Sequence, residues 1–361
     1  MIKYNAKDII KQLPTYIPGQ LIEDIKEKYN LDKIVKLASN ENPFGAAVSI
    51  LDVAENLTLD RYPDPECKKL KKRLASHYTI SPEHLIFGNG SDELMQLIAL
   101  AFLESKDTII TADVTFSEYE FVATLMGAET ITVPLKENAY DLDGILDQIT
   151  GRTKLIFIAN PNNPTGTFIE REQIDAFLHK VPDDVVVVLD EAYVEYVSAD
   201  KTTNSTVLLH TIPNLIVLRT FSKLYGLAGC RIGYAMANPE LINILKLAKQ
   251  PFNVNSVAAE AAFQALTQTE FIQKSLKGND AGKKRLYNYF REKGISFQES
   301  ETNFIYVDIN TDAKAFCERC LKRGLILRPL TSFGRPDAIR VTIGTPEELD
   351  FLESVIDEVL E

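Results

Sequence analysis

A lysine that follows an apolar run is a candidate for nucleophilic chemistry. Lys223 lies in RTFSKLYGLAGCRIGY, residues 219–234, directly after the hydroxyl residues Thr220 and Ser222. A lysine amine in a partly desolvated cleft loses its proton more readily and becomes a nucleophile. Taken alone, a lysine at such a position is usually structural, so its significance depends on the motifs around it.

A carboxylate and a pair of asparagines occupy comparable positions after two other apolar runs. Asp190 ends the run VVVVLD, where an unpaired carboxylate is costly and calls for a cationic partner, and Tyr193 follows it. In ANPNNPTG, residues 159–166, two prolines hold Asn162 and Asn163 so that an amide can be aimed into a cleft. The alternatives are a helix N-cap for the aspartate and a rigid turn for the asparagines.

A fourth motif, GNGSDE, has the composition of a helix start. Gly88 and Gly90 loosen a turn, and Ser91 and Asp92 stand at the expected N-cap ahead of a helically spaced apolar stripe. The free N–H groups and the dipole at such a helix start suit a phosphate. Any capped helix would show the same pattern, so the motif gains weight only beside the other three.

These motifs are embedded in a pattern of alternating strands and helices. Continuous apolar runs predict strands that are buried on both faces, as in parallel sheets covered by helices. The fold class predicted is therefore α/β, a doubly wound domain with a mostly parallel central sheet. The predicted strands of this sheet are 85–88, 108–112, 130–135, 154–159, 185–190, 214–219 and 231–237.

The C-terminal third has a different pattern, which predicts a smaller α+β domain. Its runs 303–309 and 338–344 alternate apolar and polar residues, which predicts strands with one solvated face. The proline- and glycine-containing start of the chain reads as an arm with one short helix. The predicted organisation is an N-terminal arm at 1–45, a large domain at 46–245 and a small domain at 246–361.

Bulk properties exclude several classes of protein. The net charge of −12 argues against a nucleic-acid or anionic-membrane surface. The start of the chain lacks the apolar core of a signal peptide, no run is apolar enough to span a membrane, and four cysteines do not make a disulfide framework. We therefore expect a cytoplasmic protein.

Two further patterns have ordinary explanations. Cys317 and Cys320 form a C-x-x-C inside a helical pattern, without a second pair to complete a zinc site. The basic run 68–73 is interleaved with leucines, as on the solvated face of an amphipathic helix. The four histidines show no ligand spacing, so we expect no metal.

The order of the motifs resembles that of a known family. N-P-x-N-P-T-G, D-E-A-Y and [ST]-x-S-K, with an arginine eight residues beyond the lysine, are similar to the fold-type I aminotransferases of the aspartate aminotransferase superfamily. Within it, the likeness to the histidinol-phosphate aminotransferases extends over nearly the whole chain, through KLASNENPFG, RYPDPE, GNGSDE, LRPL and IRVTIGT.

The resemblance implies a pyridoxal 5′-phosphate cofactor and a role for each matching residue. Lys223 would form the Schiff base and move a proton, Asp190 would pair with the pyridine nitrogen, and Tyr193 and Asn163 would bind the ring oxygen O3′. Phe116, in ADVTFSEY, matches the aromatic residue that stacks on the ring, where tryptophan or tyrosine is common in relatives. The phosphate would be bound by Gly90, Ser91, Asp92, Thr220, Ser222 and Arg231.

The resemblance also implies a partner and substrates. Tyr62, in RYPDP, matches a tyrosine that reaches the cofactor phosphate of the neighbouring subunit, which implies a homodimer with shared sites. The substrates implied are histidinol phosphate and the glutamate/2-oxoglutarate pair, so one clamp must bind a phosphate and a carboxylate in turn. Arg340 and Arg328 suit this task, although Arg328 could be a surface arginine. Tyr16 and Asn42 of the arm would close over the substrate.

Three other functions remain open at this point. An aromatic amino-acid aminotransferase and a phosphothreonine decarboxylase would both use the same lysine and aspartate. A non-catalytic transcription regulator with an aminotransferase-like domain would carry an additional basic DNA-binding segment. This acidic chain begins its cofactor-binding fold within about 45 residues, which disfavours the regulator.

Overall fold

A computed structural model describes residues 8–13, 22–199, 201 and 205–361. Tyr16 lies outside the described residues. The helices in the described part are α1 Asp8–Gln12, α2 Ile22–Tyr29, α3 Ile50–Ala54, α4 Lys68–Tyr78, α5 Ser91–Phe102, α6 Glu118–Met126, α7 Leu142–Asp147, α8 Arg171–Leu178, α9 Pro239–Ala248, α10 Ser256–Ala265, α11 Thr269–Glu292, α12 Ala313–Leu321 and α13 Pro346–Leu360.

The strands in the described part form three sheets. They are β1 Val35–Lys36, β2 Leu85–Gly88, β3 Thr108–Ala112, β4 Glu129–Val133, β5 Thr153–Ala159, β6 Val186–Asp190, β7 Leu215–Thr220, β8 Gly233–Ala237, β9 Ser296–Gln298, β10 Phe304–Asp308, β11 Leu325–Ile326, β12 Arg328–Pro329 and β13 Ala338–Thr342. Strands β1 and β11 pair in parallel as a two-stranded sheet.

The large sheet has seven strands in the order β2-β8-β7-β6-β5-β3-β4. Strands β3 to β7 are parallel to one another, and β8 is antiparallel to both β7 and β2. Strands β3, β5, β6, β7 and β8 are buried almost throughout because helices cover both faces. The prediction of an α/β fold with a mostly parallel central sheet is confirmed, and the predicted strands lie within two residues of the observed ones.

The small sheet is antiparallel, in the order β12-β13-β10-β9. The solvated face predicted for β10 and β13 is wrong, because all of β13 and all of β10 except Asp308 are buried. The polar side chains of β13 lie against the segment that follows β1: Arg340 donates to the Ala38 carbonyl at 2.9 Å, and the Asn40 N–H donates to the Thr342 Oγ1 at 3.0 Å. Polar residues here mark a face turned towards another part of the molecule.

Two apolar cores lie beneath these sheets, and helix α11 contributes to both. Its first half places Phe271 and Leu276 against the core of the large sheet, and its second half places Leu286 and Phe290 in the core of the small sheet. The boundaries proposed at residues 45/46 and 245/246 stay predictions. Within the described part of the first 45 residues the structure has two helices, where one was expected.

The remaining expectations concern helix faces, cysteines and metals. Helix α4 exposes most of its basic run, while Lys71 is buried and bonds to Glu66 at 3.0 Å. Cys317 and Cys320 are buried free thiols in α12, and burial raises the pKa of the Cys320 thiol to about 12. Among the described residues, no helix is both long and apolar enough to cross a membrane, and no cluster of three or more His, Cys, Asp or Glu could hold a metal ion.

Candidate active site

Three neighbouring parallel strands place the chemical motifs at one edge of the large sheet. Strand β5 ends at Ala159, β6 at Asp190 and β7 at Thr220, and each is followed directly by one of the motifs. Because the strands are parallel, their carboxyl ends meet at the same edge, where open α/β sheets bind ligands. The turn 160–166, the segment 191–193 and the Lys223 loop therefore share one cleft.

Asp190 is a buried carboxylate whose bonded partners are uncharged. Its Oδ2 accepts a hydrogen bond from the Tyr119 hydroxyl at 2.8 Å, and its Oδ1 accepts one from the Ala192 N–H at 3.1 Å. Burial raises the pKa of Asp190 from 3.8 to about 6, although the two hydrogen bonds oppose the rise. A cation beside this carboxylate would restore its charge.

Tyr119 is a site residue that the sequence analysis missed. It is fully buried in the first turn of α6 and stacks on Phe157, with ring centroids 4.8 Å apart. Phe116, predicted to stack on the cofactor, is half-buried and meets Tyr119 edge-on at 5.7 Å. The contact with Asp190 joins residues 71 positions apart, so only the assembled sheet brings them together.

Lys223 lies in a short loop between β7 and β8 and is half-buried. Its Nζ is 5.5 Å from the centroid of the Tyr193 ring, which brings two of the predicted catalytic residues together. The loop is held by the Ser222 N–H, which donates to the Thr220 Oγ1 at 3.1 Å. At Gly226, φ is +65° and a side chain would collide with the Gly45 carbonyl, so glycine allows segment 45–46 to lie against the lysine loop.

The predicted phosphate-binding residues meet at the start of α5. Gly90, with φ +85°, is the N-cap of this helix, rather than the predicted Ser91 or Asp92. Arg231 lies against Gly90, and its Nη2 is 2.9 Å from the Asp92 Oδ2. The predicted contribution of these residues to phosphate binding stays a prediction.

Gly233 is the point of close approach that joins the helix start to the lysine loop. It pairs with Thr220 across β7 and β8, and a Cβ at Gly233 would lie 2.6 Å from the Ser91 nitrogen. Thr220 and Ser222 are thereby held beside the free N–H groups of α5. The concave wall formed by backbone N–H groups, hydroxyls and an arginine has the donor chemistry of an anion site.

Two arginines lie directly opposite each other on neighbouring strands of the small sheet, and one of them reaches the turn 160–166. Arg340 on β13 is 7 % exposed, and it donates from Nη1 to the Asn163 Oδ1 at 2.5 Å and from Nη2 to the Ala38 carbonyl at 2.9 Å. Arg328 on β12 is half-buried and is the direct cross-strand partner of Arg340. Side chains directly opposite in an antiparallel pair lie on the same face, so both arginine side chains leave the sheet on one face.

Asn40 is a second residue that the sequence analysis missed. Its Nδ2 donates to the Tyr193 hydroxyl at 2.9 Å, and its Oδ1 accepts from the Thr342 Oγ1 at 3.0 Å. Its position in KLASNENPFG hinted at a role, although the analysis selected Asn42 from that motif. Asn42 bonds to the Leu224 carbonyl and to Ser275, and its predicted contact with substrate stays a prediction.

A buried ion pair, also missed, fastens β6 to β7 behind the site. Arg219 donates from Nε and Nη2 to the Glu191 Oε2 at 2.8 and 2.7 Å, and from Nη1 to the Tyr78 hydroxyl at 2.9 Å. Burial raises the pKa of Glu191, and the Arg219 charge opposes that rise. Each partner adjoins a predicted site residue, Asp190 or Thr220, so the pair fixes the strand ends that carry them.

Tyr62 differs from the other predicted cofactor residues in being exposed. Its ring is 82 % accessible and stacks on Phe252 with centroids 4.7 Å apart. Large apolar side chains are exposed in the same part of the chain, at Ile50, Leu51 and Leu59.

Comparisons with known proteins agree with this geometry. Residues 32–356 match the family model described as aminotransferase class I and II. The chain is 42 % identical to a histidinol-phosphate aminotransferase of Bacillus velezensis over 98 % of this chain and 99 % of the relative. It is 43 % identical to the protein of that name from Bacillus pumilus, over 99 % of both chains.

Solved structures show the same fold. The histidinol-phosphate aminotransferase of Sinorhizobium meliloti in complex with pyridoxal-5′-phosphate superposes with a TM-score of 0.90, at 28 % identity, over 99 % of this chain and 98 % of that one. An L-threonine-O-3-phosphate decarboxylase of Porphyromonas gingivalis reaches a TM-score of 0.78 at 23 % identity, over 91 % of this chain and 99 % of that one, a likeness of fold alone.

Proposed function

The chain belongs to the class I and II aminotransferase family, and from this premise we propose that it transfers the amino group of histidinol phosphate to 2-oxoglutarate. The products would be imidazole-acetol phosphate and glutamate, and the reaction is a step of histidine biosynthesis. The cofactor would be pyridoxal 5′-phosphate. The name shared by relatives of more than 40 % identity over nearly the whole chain supports this choice.

The single observation that carries the substrate assignment is the cross-strand pair of Arg328 and Arg340. Like charges placed directly opposite on an antiparallel pair destabilise a sheet. An anion between them removes that repulsion, and a phosphate dianion balances two guanidinium groups better than a carboxylate does. Arg340 also reaches Asn163, so the clamp lies next to the predicted position of the cofactor ring.

The residues of the cleft fit pyridoxal phosphate. Gly90 lets the Arg231 guanidinium group lie against the start of α5, since a Cβ there would lie 2.5 Å from the Arg231 Nη2. Asp190 is a buried carboxylate with uncharged partners, which a protonated pyridine nitrogen would complement. When bound, pyridoxal phosphate supplies an electron sink that lets a proton leave the carbon bearing the amino group.

The protein's own residues would then divide the work of binding and proton transfer. The Asp190 carboxylate holds the proton on the ring nitrogen, and Phe116 packs against the ring face. Tyr193 and Asn163 bind the ring oxygen O3′. The Lys223 Nζ would hold the cofactor and, with substrate bound, would carry the proton to and from the substrate carbon.

A half-reaction experiment tests the choice of amino donor. The cofactor-loaded protein is mixed with histidinol phosphate, phenylalanine or phosphothreonine, without an acceptor, and the absorption of the bound cofactor is followed through a single turnover. We expect histidinol phosphate to bind at least about tenfold more tightly than phenylalanine, because it engages both arginines. A preference for phenylalanine would favour the assignment as an aromatic amino-acid aminotransferase. Release of carbon dioxide from phosphothreonine would favour the assignment as a decarboxylase.

The proposal includes a homodimer with shared sites, acting in the cytoplasm. The exposed apolar side chains near Tyr62 favour an interface, because a monomer seldom leaves a large apolar patch in water. The four free thiols suit a reducing compartment. In this arrangement Tyr62 would bind the cofactor phosphate of the partner subunit.

A further inference from the structure

The hydroxyl of Tyr193 has a fixed hydrogen-bond partner within its own chain. The Asn40 Nδ2 donates to it at 2.9 Å, and both side chains are buried, with Asn40 only 1 % exposed. A tyrosine hydroxyl carries one hydrogen. Because Asn40 uses the oxygen as an acceptor, the hydrogen of Tyr193 is left to point elsewhere.

The orientation of the Asn40 amide is determined by Thr342. The Asn40 backbone N–H donates to the Thr342 Oγ1 at 3.0 Å, and this hydroxyl donates its own hydrogen to the Asn40 Oδ1, also at 3.0 Å. With the amide oxygen bound to Thr342, the NH₂ group must be the end that faces Tyr193. This orientation also gives the Thr342 hydrogen an acceptor, which the flipped amide would remove.

The backbone of Asn40 favours asparagine for a second reason. Its φ is +55°, in the left-handed region, which asparagine tolerates better than most residues. The Asn303 Nδ2 donates to the Asn40 carbonyl at 3.0 Å and holds the segment in place. Glycine would keep this backbone conformation while removing the amide.

We infer that Asn40 is a positioning residue that makes the Tyr193 hydroxyl a donor towards the cofactor oxygen O3′. The inference rests on the proposed function, since it requires that Tyr193 face the cofactor ring. A hydrogen-bond donor at O3′ stabilises the negative charge on that oxygen. Without this donor, the pKa of the bound cofactor should be higher. Thr342 lies on the strand that carries Arg340, so the relay from Thr342 through Asn40 also joins the anion clamp to Tyr193.

Two substitutions test the direction of this hydrogen bond. N40G removes the donor and keeps the backbone conformation. N40D replaces the donor with a carboxylate, which must accept the hydrogen of Tyr193 and turn it away from the cofactor. We expect the pH midpoint of the visible absorption band of the bound cofactor to rise by about one to two pH units in N40G, and further in N40D. Should N40G fold poorly, T342V breaks the same relay and should raise the midpoint too.

The controls separate this inference from the proposed function. Y193F should raise the midpoint by itself, and N40G should add nothing in the Y193F background. N303A loosens the same segment without touching Tyr193, so it should lower the melting temperature and leave the midpoint unchanged. A Y193F protein with an unchanged midpoint would overturn the role of Tyr193 in the proposed function. A normal midpoint in N40G and N40D beside a raised one in Y193F would overturn the inference alone, as would an equal rise in N303A or an N40G effect that persists in Y193F.

Discussion

At the scale of single residues, Asp190 is a carboxylate whose charge is unfavourable in its buried surroundings. The carboxylate is 5 % exposed, and neither Tyr119 nor the Ala192 N–H supplies a positive charge. The fold thus keeps a group whose charge becomes favourable only beside a cation. Such sites are often functional, because the ligand supplies what the protein lacks.

The cofactor-free protein should show this unfavourable charge as a pH dependence of stability. A folded-state pKa of about 6 against an ordinary 3.8 means that the unfolded chain ionises first. Stability contributed by the protonated Asp190 is therefore present at low pH and lost as pH rises through about 6. In D190N this loss should disappear. The unfolding free energy of D190N minus that of the parent protein should therefore increase by roughly 1–3 kcal/mol from about pH 4 to about pH 7.

Urea unfolding of both cofactor-free proteins across this range measures the gap, and turnover of the loaded D190N protein should fall by orders of magnitude. Y119F serves as the matched control: it keeps the carboxylate, so the pH dependence should persist, and the loss of a hydrogen bond that lowers the Asp190 pKa should move it to higher pH. A gap between D190N and the parent protein that is constant with pH would mean that Asp190 does not titrate as described.

The residues that sequence reasoning selected are those that stand inside local motifs. Lys223, Asp190 and Asn163 each follow a strand within a recognisable run, and the structure brings their loops to one sheet edge. Tyr119, Asn40 and Arg219 were missed because their meaning lies in contacts that join distant segments. Asn40 meets Tyr193 across 153 positions and Thr342 across 302, a juxtaposition that local patterns cannot predict.

At the scale of elements, the start of α5 shows how a backbone conformation creates a site. Gly90 combines φ +85° with a close approach to Arg231, so a side chain there would strain the backbone and displace the guanidinium group. The anion would use backbone N–H groups that only the glycine turn leaves accessible.

G90A should weaken binding of pyridoxal phosphate about ten- to a hundredfold, because backbone strain and the displaced arginine both act at the phosphate. Binding of pyridoxal, which has no phosphate, should change much less. The control is G151A, since a Cβ at Gly151 would meet no heavy atom within 4 Å. Equal losses for both ligands in G90A, measured by equilibrium titration, would show that the site as a whole has collapsed.

The pairing of β12 with β13 predicts different effects for its two arginines. R340K keeps the charge but loses the fork that bonds to Asn163 and Ala38, so binding of both histidinol phosphate and glutamate should weaken about ten- to a hundredfold. R328A should weaken histidinol phosphate more than glutamate, because a dianion gains more from a second cation.

Single-turnover titrations with each donor measure these affinities, and the resting absorption spectrum provides an internal control. The spectrum should change in R340K, because the Arg340 side chain bonds to Asn163, and it should stay unchanged in R328A. Equal losses for both donors in R328A would remove the reason for preferring a phosphorylated substrate and would favour the aromatic aminotransferase.

Elements were easier to predict than the direction in which they face. The apolar runs located the strands of the large sheet because burial on both faces leaves a continuous signal. The alternation in β10 and β13 was detected correctly but misassigned to solvent. A polar face turned into a cleft and a polar face turned to water have the same sequence pattern, and only tertiary contacts such as that between Arg340 and Ala38 distinguish them.

At the scale of the whole molecule, one predicted cofactor residue stands apart from the cleft of its own chain. Tyr62 is 82 % exposed, although a tyrosine that binds a cofactor phosphate should be covered when it acts. A second subunit would cover it together with the exposed Ile50, Leu51 and Leu59. Each site would then take its lysine from one chain and its tyrosine from the other.

Mixing two inactive variants tests this division of the site. In a mixed dimer of K223A and Y62A, one site lacks both groups and the other has Lys223 from one chain and Tyr62 from its partner. With random exchange of equal amounts, half of the dimers are mixed, so activity should return to about a quarter of the wild-type value per subunit. The expectation requires that Y62A alone be severely impaired, which its own assay establishes first.

The control mixes Y62A with a protein that carries both K223A and Y62A. In the mixed dimers of this pair one site contains Lys223, but neither chain contains Tyr62, so activity should not return. Differently tagged subunits, purified in succession, show whether mixed dimers have formed. If purified mixed dimers of K223A and Y62A stay inactive, Tyr62 does not act across the interface, and its exposed ring must be explained by its stacking on Phe252 alone.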